Sequence, residues 1–273
     1  MASNEKNRKV VAIIQARMGS TRLPGKVLKL ILDRPMLFYI VNRIQLVKEI
    51  DEVVIATSEN QNNDVIRDFC KKNQIECFSG SENDVLDRFY KAAKKYGADV
   101  VIRFTADCPL LDPGVIGNVL NKFLKTNQYD LLSVATGAGF ANKDFKENRF
   151  PDGLDTEVFS FPVLEAAWKE AKDPLEREHV TPFIWKRSKR FRFGAYTGDK
   201  DYSMMRWTVD NQDDFDVVEA IYNELYPKKP DFGMQDVLDF FKRNPEILKK
   251  NMHFIGSEGY DQFWKDKKKL SNK

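Results

Sequence analysis

The stretch Val10-Val11-Ala12-Ile13-Ile14-Gln15-Ala16-Arg17-Met18-Gly19-Ser20-Thr21-Arg22-Leu23-Pro24-Gly25-Lys26 decides the fold. Its apolar run, Val10 to Ile14, reads as a buried strand. The run opens into a loop carrying Gly19, Gly25, Arg17, Arg22 and Lys26, and a helical pattern resumes near Met36. A loop at the carboxyl end of a strand is where open α/β sheets place ligands. Glycines let the backbone approach closely and aim N–H groups inward, while the two arginines and the lysine supply positive charge. That combination suits a polyphosphate. It is not a Walker A loop, because too many residues separate Gly19 from Gly25 and Val27 follows Lys26 where Ser or Thr should stand. The dinucleotide pattern G-x-G-x-x-G is absent too.

Outward from this stretch, short apolar runs alternate with amphipathic helical spacing. Strands are expected at Val10–Ile14, Glu52–Thr57, Ile75–Phe78, Asp99–Phe104, Asp130–Ala135, Glu157–Phe161, Phe191–Tyr196 and Met205–Val209. Helices are expected at Met36–Val47, Asn63–Lys72, Val85–Tyr96, near Pro113–Lys125, and at Val163–Lys172, Glu176–Lys186 and Asp213–Leu225. This alternation predicts crossover units and a mainly parallel sheet. The polar, glycine-containing stretch Gly137–Phe150 reads as a mobile loop. After Pro227 and Pro230 a small helical appendage follows, with helices at Gln235–Lys242 and Pro245–Lys250. The expected division is a catalytic domain over 1–226 and an appendage over 227–273.

At 273 residues, with 42% hydrophobic and 31% charged, the chain is long enough for one large α/β domain with a small addition. A net charge of +3 gives no argument for nucleic acid. Lys265, Lys267, Lys268 and Lys269 read as a solvated end. Cys70, Cys77 and Cys108 are odd in number and form no C-x-x-C pair, so neither a disulfide framework nor a zinc site is indicated. No apolar run approaches the roughly 20 residues of a spanning helix, and Met1 to Arg8 lacks the apolar core of a signal peptide. No membrane role is expected, and the expected location is the cytoplasm.

The opening loop resembles that of the cytidylyltransferases that activate sugar acids, the acylneuraminate and Kdo enzymes. It is most like their spore-coat polysaccharide branch. The resemblance continues through Arg103-Phe104-Thr105-Ala106-Asp107-Cys108-Pro109-Leu110 and Pro151-Asp152-Gly153-Leu154-Asp155-Thr156-Glu157. It then takes in Glu176-Arg177-Glu178-His179-Val180-Thr181-Pro182 and Arg206-Trp207-Thr208-Val209-Asp210, and so spans Lys9 to about Leu225. It implies a Rossmann-like nucleotide-diphospho-sugar transferase fold with a mainly parallel mixed sheet. It also implies that Arg17 and Lys26 bind CTP phosphates, with Ala16, Gly19, Ser20 and Arg22 beside them. The later motifs depart from the sialic acid and Kdo enzymes, which leaves the acceptor open.

Asp107 and Asp210 each follow an expected strand. Taken alone, Asp107 suits a turn before Pro109 and Asp210 suits a helix cap. A carboxylate at a strand's carboxyl end also faces the ligand crevice, and Mg²⁺ takes one or two carboxylates plus phosphate and water. The resemblance implies the metal-binding role for both. Asp84 is either a helix cap or, as the resemblance implies for its segment with Ser81 and Arg88, a nucleotide contact beside the base and ribose; Arg88 could equally pair with Asp84 across one turn. Arg103, among apolar neighbours, should meet a carboxylate or an anion. Arg103, Asp155, Glu157, Arg177 and His179 are candidate acceptor-binding residues, His179 more for orientation than for catalysis. Cys108 reads as packing.

The expected reaction is Mg²⁺-dependent transfer of CMP from CTP to a sugar acid, with catalytic Arg17, Lys26, Asp107 and Asp210. Its rivals are the same chemistry on a phosphate or phosphonate acceptor, a nucleotide-sugar-dependent glycosyltransferase, and a nucleotide-binding subunit without turnover. The enzymes it resembles are commonly homodimers. Phe140, Phe145, Phe150, Trp185, Tyr196, Tyr202 and Trp207 supply aromatics for an interface or for the sheet–helix core, and the segment Tyr196–Met205 is the expected interface.

Overall fold

The computed structural model describes residues 8–137 and 147–254. Most of the expected loop Gly137–Phe150, including Phe140 and Phe145, lies outside the described residues, as do the terminal lysines.

The chain begins with β1 (Val10–Gln15), whose alternate residues face opposite ways. Val10, Ala12 and Ile14 pack into one apolar core, and Val11 and Ile13 into another. A strand buried on both faces explains the unbroken apolar run. The small hairpin of β2 (Leu30–Ile31) and β3 (Arg34–Pro35) leads to α1 (Met36–Gln45). The series continues with β4 (Glu52–Ser58), α2 (Asp64–Asn73), β5 (Glu76–Gly80), α3 (Val85–Lys95), β6 (Val100–Thr105) and α4 (Pro113–Thr126). Then come β7 (Leu131–Val134), β8 (Glu157–Ser160), α5 (Phe161–Glu170), α6 (Pro174–His179), α7 (Pro182–Trp185) and β9 (Phe193–Tyr196). The described chain closes with α8 (Gln212–Leu225), α9 (Met234–Arg243) and α10 (Pro245–Lys249).

Among the described residues seven strands form one sheet in the order β5-β4-β1-β6-β8-β7-β9. Strands β5, β4, β1 and β6 are parallel, β8 runs antiparallel to both β6 and β7, and β9 is parallel to β7. This is the mainly parallel mixed sheet the sequence implied. The chain leaves β1 toward β4 on one side and later returns to its other side as β6. A crevice therefore opens at the carboxyl ends of β1 and β6, where ligands bind in such sheets.

Helices α1, α4, α8 and α9 cover one face through residues such as Ile40, Ile116, Val218 and Phe240. On the other face α3, α5 and α7 contribute Phe89, Leu164 and Phe183. After Pro227, Phe232, Val237, Leu238, Phe240 and Phe241 pack into the first of these two cores.

Two expected elements differ. Met205–Val209 is not a strand; only Arg206 bridges, to Asp152. Its N–H groups are divided between two loops, Trp207 N–H donating to Asp152 (2.7 Å) and Val209 N–H to Asp107 (2.8 Å). The expected helix Glu176–Lys186 is broken into α6 and α7, because Val180 takes φ 70°. A β-branched residue in that region is strained, and no helix passes through it. Among the described residues no helix is long and apolar enough to cross a membrane.

Candidate active site

At the carboxyl edge of β1 and β6 the crevice widens into a cleft of about 660 Å³. Gly25, at φ 70°, turns the β1 loop back so that Lys26 enters the floor of the cleft. A left-handed position of this kind favours glycine. Lys26 is buried, and its Nζ donates to Asp210 (2.9 Å), to Asp107 (3.3 Å) and to the carbonyl of Val209 (2.6 Å). Burial works to lower its pKa, yet Asp107 and Asp210 outweigh that and hold it above the ordinary lysine value. The ammonium therefore stays charged. Burial likewise acts to raise the Asp107 pKa, but Lys26 with the Thr105 and Cys108 contacts brings it below the usual carboxylate value.

Asp107 and Asp210, 103 positions apart in sequence, can meet around Lys26 only if the backbone is tied there, and it is. The Asp107 carbonyl accepts from Val209 N–H (2.8 Å) and from Thr208 Oγ1 (3.2 Å). Asp210 also meets Arg22 (2.8 Å) and Arg206 (2.9 Å). Arg206, only 3% exposed, reaches Asp214 (2.9 Å) and Asp152 (3.3 Å) as well. Asp214 in turn belongs to the capping box that starts α8 with Asn211. A fully buried arginine among three carboxylates is the pairing such a charge requires.

The wall opposite carries acids. Gly153 adopts φ 104° with its Cα against the backbone of Trp207 and Thr208, and this turn aims Asp152 and Asp155 into the cleft. Asp155 accepts from Thr136 Oγ1 (2.7 Å) and Gly153 N–H (2.9 Å). Burial first, and then Asp155, push Asp152 well above the ordinary carboxylate value, and burial outweighs the Thr136 and Gly153 hydrogen bonds to raise Asp155 as well. Arg103 meets Glu157 (2.6 Å) and Gln15 (3.2 Å), and Glu157 also accepts from Thr181 Oγ1 (2.8 Å). Beside them, burial and the Arg103 charge lower the His179 pKa, so the imidazole is neutral at pH 7.

Of the residues expected from sequence, Ala16, Arg17, Gly19, Ser20, Arg22, Lys26, Arg88, Arg103, Asp107, Asp155, Glu157, His179 and Asp210 all line this cleft. Arg17 is exposed at its rim, 3.8 Å from Glu82. Ser81 lines an adjoining recess of about 510 Å³ that shares Glu82 with the cleft. Asp84 caps α3 by accepting from Asp87 N–H (2.9 Å), and its partner is Arg177 (2.7 Å) rather than Arg88. Arg88 turns to the carbonyl of Ser81. Arg177 is not among the cleft-lining residues; it stands behind them. Sequence reasoning passed over Gln15, Glu82, Thr208 and Arg206, which all line the cleft. For Arg206 a signal existed: carboxylates follow it at Asp210 and Asp214.

The comparisons agree with this geometry. The cytidylyltransferase family model matches residues 11–239. An uncharacterized protein of Methanocaldococcus jannaschii is 35% identical, covering 89% of this chain and 94% of its own. The spore coat polysaccharide biosynthesis protein SpsF of Bacillus subtilis is 30% identical over 87% of this chain and 95% of its own. A 3-deoxy-manno-octulosonate cytidylyltransferase of Geobacter sulfurreducens is 32% identical over 65% and 76%. The solved structure of a cytidylyltransferase from Leptospira borgpetersenii superposes with a TM-score of 0.80 at 31% identity, covering 89% of this chain and 97% of that one. A family match along most of the chain, on this sheet and with this cleft, makes the protein a member of the cytidylyltransferase family and a CTP-dependent nucleotidyltransferase.

Proposed function

We propose that the enzyme transfers CMP from CTP to a hydroxyl of a sugar acid, releasing pyrophosphate, in the cytoplasmic synthesis of a surface polysaccharide. One observation carries the nucleotidyl-transfer reading: Lys26, Asp107 and Asp210 converge at the crevice beside a cationic, glycine-containing loop. The sugar acid rests on the relatives, one acting on 3-deoxy-manno-octulosonate and one named for spore coat polysaccharide.

In this reading the acceptor oxygen bonds to the α-phosphorus while the bond to the β-phosphate bridge breaks and pyrophosphate leaves. Arg17, Arg22 and Lys26 bind the triphosphate, with the backbone of Ala16, Gly19 and Ser20 against it. Lys26 offsets charge that grows on the departing group. Arg88 and the segment Ser81–Asp84 serve the base and ribose, while Arg103, Asp155, Glu157 and His179 orient the acceptor. Transfers of this type depend mainly on positioning and charge neutralisation.

The donor set at Asp107 and Asp210 suits Mg²⁺. Both carboxylates already share one cation, and Asp107 Oδ1 faces the Cys108 thiol at 3.5 Å. No group of three or more ligating side chains is assembled among the described residues, so phosphate and water would complete the shell, as Mg²⁺ usually requires. Asp107 and Asp210 would hold the metal, which would supply neutralisation of phosphate charge and a lowered pKa for the attacking hydroxyl.

The test is a screen of the four nucleoside triphosphates, with Mg²⁺, against sugar acids and phosphorylated alcohols, read by pyrophosphate release. CTP with a sugar acid should turn over. Turnover only with a phosphorylated alcohol would replace the acceptor class. Consumption of a nucleotide sugar without pyrophosphate would replace the reaction.

A further inference from the structure

Arg177 was expected to bind substrate, and it lines no part of the cleft. Its Nε donates to Asp84 Oδ2 (2.7 Å), and its Nη1 donates to the carbonyls of Trp168 (3.0 Å) and Ala171 (3.1 Å) at the end of α5. We propose that Arg177 is a positioning residue that locks the acceptor wall to the nucleotide-side loop through Asp84. The inference rests on CTP occupying the α3 side of the cleft.

The nucleotide-side partner is closely tied to the cleft. Asp84 N–H donates to Ser81 Oγ (3.2 Å), and Asp84 Oδ1 accepts from Asp87 N–H (2.9 Å) at the start of α3. One turn further on, Arg88 N–H donates to the Asp84 carbonyl (3.1 Å), and the Arg88 side chain enters the cleft beside Asn83 and Val85. A shift of Asp84 therefore moves the loop, the helix start and Arg88 together.

The acceptor-side partner has little rigidity of its own. Helix α6 is six residues long and ends against the left-handed Val180. A helix that short depends on tertiary ties for its position. The two residues after Arg177, Glu178 and His179, both face the cleft. The direction in which they enter is set by how Arg177 is held. Trp168 reinforces the arrangement: its Nε1 donates to Asp87 (2.9 Å) and its ring stacks on Tyr90 of α3 at 4.0 Å. The guanidinium fork bonds three acceptors in different directions, which a lysine ammonium on a flexible stem does not reproduce.

Asp84→Asn breaks the bridge from the nucleotide side, where Asp84 also belongs to the segment assigned to the base and ribose, so the Arg177 variants and the double variant carry the test. Asparagine keeps the cap, but its amide N–H then confronts the Arg177 donor. CTP with Mg²⁺ is titrated by calorimetry into wild type, Asp84→Asn, Arg177→Gln, Arg177→Lys and the Asp84→Asn/Arg177→Gln double variant, each with its melting temperature. Arg177→Gln should weaken CTP binding by about fivefold or more, the low end of coupling between linked sites, although Arg177 does not itself line the cleft. Arg177→Lys should not restore it, and the double variant should be no weaker than the poorer single. The inference is overturned if Arg177→Gln binds CTP within about twofold of wild type, or if the two single effects multiply in the double variant. It is also overturned if affinity falls only in proportion to lost folded protein. Absence of CTP binding by the wild type would overturn the CTP reading along with it; normal wild-type binding with unmoved variants overturns this inference alone.

Discussion

Lys26 shows how single residues hold this cleft in its charged state. Its raised pKa means that the stability it contributes is fully present below the ordinary 10.5 and is lost only as pH rises through the higher folded value. Asp107, lowered from 3.8, contributes stability present above that value and lost as pH falls through the folded one. The clamp therefore stays closed across the neutral range. Asp107→Asn and Asp210→Asn should each reduce kcat/KM by about 10²–10³-fold, the range for removing one preorganised electrostatic group. Both variants should remain folded. Asp210→Asn should melt lower, since Asp210 also balances Arg22 and Arg206. Kinetics beside thermal melts check this, and undiminished turnover in a folded Asp107→Asn would remove Asp107 from the chemistry. His179 predicts a pH effect in the same direction as Asp107, at milder acidity. Burial and the charges of Arg103 and Lys186 lower its pKa from 6.5, against the raising influence of Glu178. As pH falls below 6.5 the unfolded chain takes up a proton first, so stability drops until the folded value is reached. The loss in melting temperature between neutral and mildly acid buffer should be smaller in His179→Gln; equal losses in both proteins would discard this account.

At the scale of elements, the turn Pro151–Asp155 carries the acid wall. An added Cβ at Gly153 would lie 2.6 Å from the carbonyl carbon of Trp207, and φ is 104°. Gly153→Ala should cost about 1–3 kcal/mol, the usual range for a side chain forced into such backbone. It should also lower kcat/KM by displacing Asp152 and Asp155. A melt within error of wild type would show that the turn relaxes freely. The same turn explains what the sequence left illegible. Apolar runs gave β1, β4 and β6 almost to the residue, because burial on both faces leaves a signal in the chain itself. Met205–Val209 has the same apolar character, yet Trp207 and Val209 are buried by lying across the sheet edge, between the Gly153 turn and Asp107. Pattern alone does not separate these two kinds of burial. The break at Val180 was hidden for a related reason: its left-handed backbone is imposed by tertiary packing around a fully buried side chain.

For the whole molecule, Arg17, Lys26 and Asp107 were legible because the parallel strands β1 and β6 end at one edge. Asp210 reaches that edge from a segment that is not a strand, and Arg177 was misplaced because adjacency to His179 says nothing about which way a short helix turns. The aromatics read as interface candidates divide in the same way. Phe150 and Trp207 are buried in the core and offer no surface. Tyr196 and Tyr202 are half-buried against it, and Met204 between Tyr202 and Met205 is 61% exposed, the most exposed of the large hydrophobic residues described. The expected two-fold dimer, with its interface at Tyr196–Met205, is a proposal in which Met204, near the end of that segment, is the apolar side chain to be covered. Its consequence for the site runs through one bond: the carbonyl of Met205 accepts from Asp152 N–H (3.0 Å). In such a dimer, a partner seated on Met204 would bear on the residue that anchors the acid wall. Light scattering should give twice the chain mass of 31.7 kDa at working concentration. Met204→Glu should shift the protein toward monomer, because burying an unpaired carboxylate in an apolar contact is costly, and should raise KM for the acceptor more than for CTP. Monomeric, fully active wild-type protein would eliminate the dimer. A Met204→Glu protein that stays dimeric would place the interface on another surface.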